Sequence, residues 1–228
     1  MPQAHFSPRL FRFLEDLAAN NDREWFQANK ERYEDDLREP ARSFISDFAS
    51  ALGKISPNFR ADPRKVGGSL FRIHRDVRFS KDKSPYKTHT GIQFRHRAGK
   101  DAHAPGFYLH LEPGGCFAGV GIWHPDGEAT KKIRRFLIEE SARWKKVTGA
   151  KRFRETFELQ GDSLKRPPRG VDPNHPLIED LKRKDFIGVH RLSQKEVTSR
   201  DFLDTYGALC RTGSAFVEAL CDAVEVPF

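Results

Sequence analysis

The sequence FRIHRDVRFSKDKSPYK, residues 71–87, combines apolar side chains with six Lys or Arg residues and two Asp residues. Its first nine residues include Phe, Ile and Val, which favour the pleated surface of a β-strand. Side chains alternate between the two faces of a strand, and this alternation separates two sets. The inward face would carry Phe71, Ile73, Arg75, Val77 and Phe79, and the outward face Arg72, His74, Asp76 and Arg78. We therefore predict a strand over residues 71–79 that is attached to a core and presents cations on its outer face.

A turn is predicted after this strand, at residues 80–85. Asp and Ser side chains can bond to nearby backbone N–H groups, and Pro85 forces Ser84 into an extended conformation. Arginines that alternate with core residues and stand beside Asp suit a preformed pocket for phosphate or carboxylate groups, which a guanidinium binds bidentately. The predicted ligand-binding residues are Arg72, Arg75, Arg78, Lys81, Lys83, Tyr86 and Lys87.

Two residues of the same stretch are candidates for catalysis. His74 is the natural general acid or base, because imidazole is the most common proton-transfer group in active sites. Asp76 would either be the partner of His74 or hold a neighbouring arginine in place. No nucleophile with an adjacent base is evident in the sequence, so the pattern leaves open whether the protein is an enzyme.

The segment 72–87 resembles the signature of a bacterial and fungal family of conserved hypothetical proteins, catalogued as domain of unknown function 2461. Other segments are similar to that family as well: the motifs at residues 10–14 and 20–26, and the sequence GVGIW at residues 119–123 followed by Pro125. The resemblance covers most of the chain. It implies an α+β domain with a shared site, and it implies no particular activity.

Hydrophobic periodicity along the rest of the chain predicts an α+β fold in a single domain, residues 1–228. Apolar residues at helical spacing behind N-capping residues predict a helical layer over residues 1–63. Strand-like alternation predicts a mainly antiparallel sheet over about residues 69–123, onto which that layer packs. Residues 124–228 would add further helices, a Pro-rich loop and one strand at residues 186–191.

The net charge of +8 is unevenly distributed along the chain. Residues 64–100 contain 11 Lys or Arg against 2 acidic residues, and residues 131–154 contain 10 against 2, so the remainder is acidic. Two basic blocks on an acidic body favour an anionic partner. Our first hypothesis is a pocket for a small phosphate- or carboxylate-bearing ligand. The second is a structural Arg/Asp network with no ligand, and the third is a nucleic-acid-binding module.

No metal site and no cofactor are predicted. Four histidines and Glu112 would converge only if the strand register aligned them, and none has a close ligand spacing such as HxH. These histidines are His74, His89, His110 and His124. The three cysteines lack CxxC spacing, so neither a zinc site nor a disulfide framework is indicated.

No apolar run is long enough to cross a membrane, and the first residues do not resemble a signal peptide. We therefore predict a cytoplasmic protein that has no membrane partner. The sequence does not determine the oligomeric state.

Overall fold

The N-terminal part of the chain forms a layer of helices in the computed structural model, which describes residues 4–99 and 104–228. Side-chain caps explain where the first two helices begin. Ser7 accepts a hydrogen bond from the backbone N–H of Arg9, and Asp22 accepts one from the backbone N–H of Trp25. The elements are α1 (Pro8–Ala19), α2 (Arg23–Ala28), α3 (Lys30–Tyr33), a π-helical turn (Glu34–Arg38) and α4 (Glu39–Ile55).

The apolar stripes of α1 and α4 form one side of the hydrophobic core. Leu10 and Leu14 of α1 and Phe44 and Phe48 of α4 are completely buried. The ring of Phe48 lies 4.8 Å from the ring of Phe94, centroid to centroid, in the adjacent sheet. Aromatic packing therefore joins the helical layer to the sheet, as the sequence predicted.

In the described part of the chain the sheet has five strands, and every neighbouring pair is antiparallel. The strands are β1 (Thr90–Arg95), β2 (Gly106–Leu111), β3 (Phe117–Ile122), β4 (Glu158–Gln160) and β5 (Phe186–Arg191). Their spatial order is β1-β2-β3-β5-β4. The predicted α+β class with an antiparallel sheet is confirmed. The sheet reaches beyond residue 123 because β5 returns to pair with β3.

The prediction of a continuous strand over residues 71–79 is wrong. Only the start of this segment joins the sheet, through a hydrogen bond from the Phe71 N–H to β1. The chain then folds back on itself through backbone hydrogen bonds from Arg75 to Pro85 (2.9 Å) and from Lys87 to Ile73 (2.8 Å). We call residues 71–87 the basic hairpin. Backbone groups of the basic hairpin form hydrogen bonds within the hairpin itself, so its tip can extend away from the core. Phe79, at this tip, is 96% exposed.

The second half of the chain contributes a helix that runs through the core. This helix, α10 (Phe202–Ala223), has 22 residues. It approaches β3 closely at Gly213, where a Cβ atom would stand 2.7 Å from Val120 Cγ1. The helices of this half are α5 (Gly127–Glu139), α6 (Ser141–Gly149), α7 (Lys151–Thr156), α8 (Ile178–Leu181), α9 (Gln194–Val197) and α10 (Phe202–Ala223). Among the described residues, no helix combines the length and apolar character needed to cross a bilayer.

The helices cover one face of the sheet. Phe94 and Val120 point toward that face, where they contact α4 and α10. Strand alternation places Tyr108, His110 and Gly119 on the opposite face. An antiparallel sheet can leave one face uncovered in this way, and here the uncovered face contains the candidate site.

Candidate functional site

Two adjoining cavities lie beside the sheet, and the larger one opens on the face opposite the helices. The larger one has a volume of about 730 Å³ and is lined by strands and by the loops that connect them. The smaller one, about 410 Å³, lies between the basic hairpin and the corner that joins α1 to α2, and Asn21 and Arg75 form part of its wall. His89 lines both cavities, so the two spaces meet at its side chain.

The wall of the larger cavity is mostly apolar. Phe71, Phe117, Trp123 and Val189 contribute to it, together with Gly119 on its floor. A Cβ atom on Gly119 would make only an ordinary contact of 3.6 Å with Tyr108 Cβ. The glycine is therefore not required by the backbone, and its lack of a side chain adds space to the cavity.

A cluster of polar side chains stands where the two cavities meet. The possible ligand atoms of His89, His110 and Glu112 all lie within 4.8 Å of one another, and we call these residues the His–Glu cluster. Nε2 of His110 is 3.1 Å from Oε2 of Glu112, and Nδ1 of His110 is 3.0 Å from the hydroxyl oxygen of Tyr108. The hydroxyl, the imidazole and the carboxylate thus form a continuous chain of hydrogen bonds.

The register between β1 and β2 brings the His–Glu cluster together. Gly91 pairs with His110 and Thr90 pairs with Leu111, so the next residues along the ladder, His89 and Glu112, face each other. The His110 ring lies between the ring of Phe117 and the ring of His89, each 4.6 Å away between centroids. This packing holds the imidazole of His110 in one orientation.

Burial controls the protonation of the cluster. Burial, reinforced by the neighbouring His110, lowers the pKa of His89 to about 4. Burial also lowers the pKa of His110, although the hydrogen bond with Glu112 acts in the opposite direction. The pKa of the Tyr108 phenol is raised by burial and by the charge of Glu112. At neutral pH the cluster therefore contains two neutral imidazoles, each with a lone pair for a hydrogen bond, a proton or a metal ion.

Lys87 lines the smaller cavity, and Arg72 is its neighbour; in the described part of the chain neither forms a close ion pair, although the charge of Arg72 helps to lower the pKa of Asp76. Nζ of Lys87 lies 5.5 Å from the centroid of the Phe71 ring, and burial, followed by repulsion from Arg72, lowers the pKa of this lysine. Among the described residues, neither Lys87 nor Arg72 has a carboxylate within 4.0 Å. The guanidinium of Arg75, by contrast, is paired with Asp82.

The structure brings some of the predicted ligand-binding residues together and separates others. Arg75, Tyr86 and Lys87 line the smaller cavity, and Arg72 is close enough to Lys87 to affect its pKa. The other three are exposed at the tip of the basic hairpin: Arg78, Lys81 and Lys83. Lys83 there donates to the carbonyl of Val77 at 3.0 Å.

Tyr86 contributes to the smaller cavity mainly by its position. Its side chain is 3% exposed and stacks on Phe26 at 4.0 Å between centroids. Its backbone is held by the Asn21 side chain, which donates to the Tyr86 carbonyl at 3.0 Å and accepts from the Tyr86 N–H at 3.1 Å. The corner between α1 and α2 thereby fixes the root of the basic hairpin.

The candidate catalytic residues His74 and Asp76 are not among the described residues that line the cavities. The ring of His74 lies 5.2 Å from the ring of Tyr86. Asp76 accepts hydrogen bonds from the guanidinium of Arg78, which lower the pKa of the carboxyl to about 2. Asp76 therefore holds an arginine, one of the two roles that the sequence suggested.

Sequence reasoning named His89, His110 and Glu112 among the residues that would converge only if the strand register aligned them, and it predicted no metal site. Alternation along β2 does place Tyr108, His110 and Glu112 on one face, and that signal was present in the sequence. The position of His89 beside them depends on the β1–β2 register, which a single sequence does not determine.

Comparison with protein families gives one match that spans nearly the whole chain. The family model described as "Conserved hypothetical protein (DUF2461)" matches residues 9–218. A search of curated proteins finds no match. The resemblance carried by the basic hairpin is therefore confirmed by the family match.

Proposed function

From the structure of this chain, which belongs to the DUF2461 family of conserved hypothetical proteins, we propose that it binds a small ligand with a phosphate or carboxylate group. Lys87, Arg72 and Arg75 would hold the anionic group in the smaller cavity. The apolar wall of the larger cavity would receive the remainder of the ligand. The ligand class is thus a small organic acid or phosphate ester.

The observation that carries this proposal is the environment of Lys87. Its ammonium group is partly buried next to a second cation, Arg72, and no carboxylate within 4.0 Å offsets either charge among the described residues. Removing a charge from water is unfavourable unless a partner compensates it. An anion between Lys87 and Arg72 would supply that partner, and it would gain charge-assisted hydrogen bonds from both.

The larger cavity supports a ligand with an apolar body. Its volume of about 730 Å³ lies within the range of sites for small organic molecules. Phe71 connects the two spaces, because it lines the larger cavity and also lies beneath the ammonium group of Lys87. A ligand seated on Lys87 would therefore extend naturally along Phe71.

The two alternative hypotheses have less support. Pairing of Arg75 with Asp82 and of Arg78 with Asp76 fits a structural network, but among the described residues neither Lys87 nor Arg72 has a carboxylate within 4.0 Å. A nucleic-acid track would need free cations on the second basic block, residues 131–154. Several of these are engaged within the protein: Lys132 and Arg135 with Glu225, Arg143 with Asp222, and Arg134 with the carbonyl of Leu181.

The proposal is tested by the variant Lys87→Met, which keeps an apolar stem over Phe71 and removes the charge. Binding of inorganic phosphate and of phenyl phosphate would be measured by isothermal titration calorimetry. We expect phenyl phosphate to bind more tightly than phosphate, and Lys87→Met to weaken both by about tenfold to a hundredfold. The matched control is Lys131→Met, which removes an exposed charge from the second basic block and should leave both affinities unchanged.

Three results would contradict the proposal. Equal phosphate binding by wild type and Lys87→Met would place the anion elsewhere. Tight binding of a single-stranded oligonucleotide that is weakened as much by Lys131→Met as by Lys87→Met would favour the nucleic-acid alternative. Absence of binding to any of these probes would leave the structural network as the better account of the basic hairpin.

A further inference from the structure

We propose that His89, His110 and Glu112 bind one divalent transition-metal ion, of the chemical class of Zn²⁺ and Fe²⁺. The three ligand atoms lie within 4.8 Å of one another, and of these residues His89 lines both cavities and Glu112 lines the larger one. The metal site does not require the proposed anion site, because different side chains would hold the two ligands. The basic hairpin can bind an anion without the metal, and the cluster can bind the metal without the anion.

The distances within the cluster suit a shared metal ion. Metal–nitrogen and metal–oxygen bonds of about 2.0–2.2 Å place two ligands of one ion roughly 3.0–3.5 Å apart. Nε2 of His110 and Oε2 of Glu112 are already 3.1 Å apart. Closing the widest separation in the cluster, 4.8 Å, requires a movement of roughly 1–2 Å. Rotation of the His89 side chain, which reaches into both cavities, can supply it.

The chemistry of the three ligands selects the metal class. Two imidazoles and one carboxylate form the ligand set typical of zinc hydrolases and of non-haem iron(II) sites. Magnesium and calcium prefer oxygen ligands alone.

The surroundings of the cluster support a metal-binding role. Among the described residues, no protein group forms a hydrogen bond with the ring of His89, so its nitrogens are available inside the cavities. Tyr108 lies 3.0 Å from Nδ1 of His110. With a metal on Nε2, the Nδ1–H group would donate to the Tyr108 oxygen, which fixes the tautomer and the orientation of the ring.

Nearby charges act in both directions. Lys87 and Arg75 both oppose positive charge on His89, whereas Glu112 favours it. Glu112 would itself bind the ion, and Arg75 is already paired with Asp82. Gly115 leaves the carboxylate free to turn toward the ion, since a Cβ there would stand 3.0 Å from Oε2. Three protein ligands leave at least one coordination position open to water from the larger cavity.

The test uses full-length protein without a polyhistidine tag, treated with a chelator and dialysed. Zn²⁺ would be titrated by calorimetry, and Co²⁺ would be followed by its visible absorption, which reports the number and type of ligands. We expect one equivalent of either ion per chain. Mg²⁺ and Ca²⁺ in large excess should not displace Co²⁺, because they prefer sites made of oxygen alone.

Variants identify the ligands. Glu112→Gln preserves the shape of a side chain that is 40% exposed, and His89→Ala removes a ring that no protein hydrogen bond holds. Both should weaken Zn²⁺ binding by more than the roughly 10–100-fold expected for Tyr108→Phe, which removes only the hydrogen bond to a ligand. The matched control is His124→Asn. His124 is also bound to a carboxylate, that of Asp185, and Asn tolerates its positive φ of 47°.

Each outcome decides the proposal. Loss of the single Zn²⁺ equivalent in Glu112→Gln and His89→Ala, with retention in His124→Asn and cooperative thermal unfolding of all the metal-free variants, supports it. Zn²⁺ binding that is equal in wild type and both ligand variants overturns it, as does the failure of the wild type to bind any ion. Loss of phosphate binding in Lys87→Met with retained Zn²⁺ binding would show that the two sites are independent.

Discussion

The six Lys and Arg residues of the basic hairpin look equivalent in the sequence, yet their surroundings differ: Lys81 and Lys83 are exposed at the tip, and the other four are of two kinds. Arg75 and Arg78 each bind an aspartate of the hairpin itself. Lys87 and Arg72 have no carboxylate within 4.0 Å in the described part of the chain. The first kind holds the hairpin in shape, and the second kind leaves a positive charge beside a cavity. The anion site that we propose therefore uses the second kind.

Lys87 should make the ligand-free protein less stable than it would be with a neutral side chain. Burial lowers its pKa, so the charged form is disfavoured in the folded state. We expect Lys87→Met to raise the free energy of unfolding at pH 7 by up to about 1 kcal/mol, discounted for the partial exposure of the site. Urea denaturation measures the change.

The pH dependence of this effect follows from the direction of the pKa shift. At pH values between the folded pKa of Lys87 and its unfolded value of about 10.4, the folded state binds fewer protons than the unfolded state. The free energy of unfolding of the wild type should therefore increase relative to that of Lys87→Met as pH rises through this range. Lys131→Met is the control, because its charge is exposed. A variant that is clearly less stable than the wild type at pH 7 would contradict this explanation.

At the scale of secondary structure, the corner between α1 and α2 determines the position of the basic hairpin. Asn21 binds both backbone polar groups of Tyr86, in the way a neighbouring strand would. The hairpin is thus anchored at its root by a side chain rather than by a full β-ladder. This explains why a segment with strand-like alternation leaves the sheet after its first residues.

We expect Asn21→Ala to lower the free energy of unfolding by about 1–3 kcal/mol, because it leaves two partly buried backbone groups without partners. The measurement is urea denaturation at pH 7. The matched control is Asn20→Ala in the same corner, where the side chain donates to Asp16 near the surface and should contribute less than about 0.5 kcal/mol. Equal effects of the two variants would remove the anchoring role of Asn21.

At the scale of the whole molecule, helices on one face of the sheet bury the core and leave the other face for the cavities. Asp185 joins two segments that are distant from each other in the sequence. Its carboxylate accepts hydrogen bonds from the backbone N–H groups of His124 and Asp162, both at 2.8 Å. Burial alone would raise the pKa of Asp185, but these hydrogen bonds outweigh it and lower the pKa.

Stability should therefore fall in acid. Several carboxyl groups have a lower pKa in the folded state than in the unfolded chain, where the values are about 3.9–4.3. They are Asp62, Asp76, Asp82, Asp185, Glu196 and Glu225. Their contribution is complete above about pH 5 and is lost as pH falls from about 4 toward 2, because the unfolded chain takes up protons first.

Urea midpoints at pH 7, 5, 4 and 3 at constant ionic strength measure this acid dependence. These carboxyl groups should change the midpoint little between pH 7 and pH 5, where His89 and His110, whose pKa values are lowered by burial, already cost stability below about pH 6.5. The carboxyl groups should then add a steep fall below pH 4. The variant Asp185→Asn should be less stable at pH 7 and should lose less on acidification, since it lacks the most buried of the carboxyl groups. A urea midpoint that stays constant from pH 5 to pH 3 would contradict the assignment.

Local chemistry in the sequence determined much of the architecture. Caps at Ser7 and Asp22 and apolar stripes at helical spacing predicted the N-terminal helices, and alternation predicted the antiparallel strands and the β5 strand at residues 186–191. These features follow from neighbours a few residues apart, and such interactions can be read along the chain.

Only the tertiary structure decided which charges and which histidines meet. The basic hairpin has the composition of a strand, but its course depends on Asn21, which is 65 residues from Tyr86. The His–Glu cluster depends on the strand register that pairs Gly91 with His110. Hydrophobic periodicity does not determine this register, because it does not fix the length or the course of the connection between β1 and β2. Alternation gives the face of a side chain, whereas its partners across strands are set by packing of the whole chain.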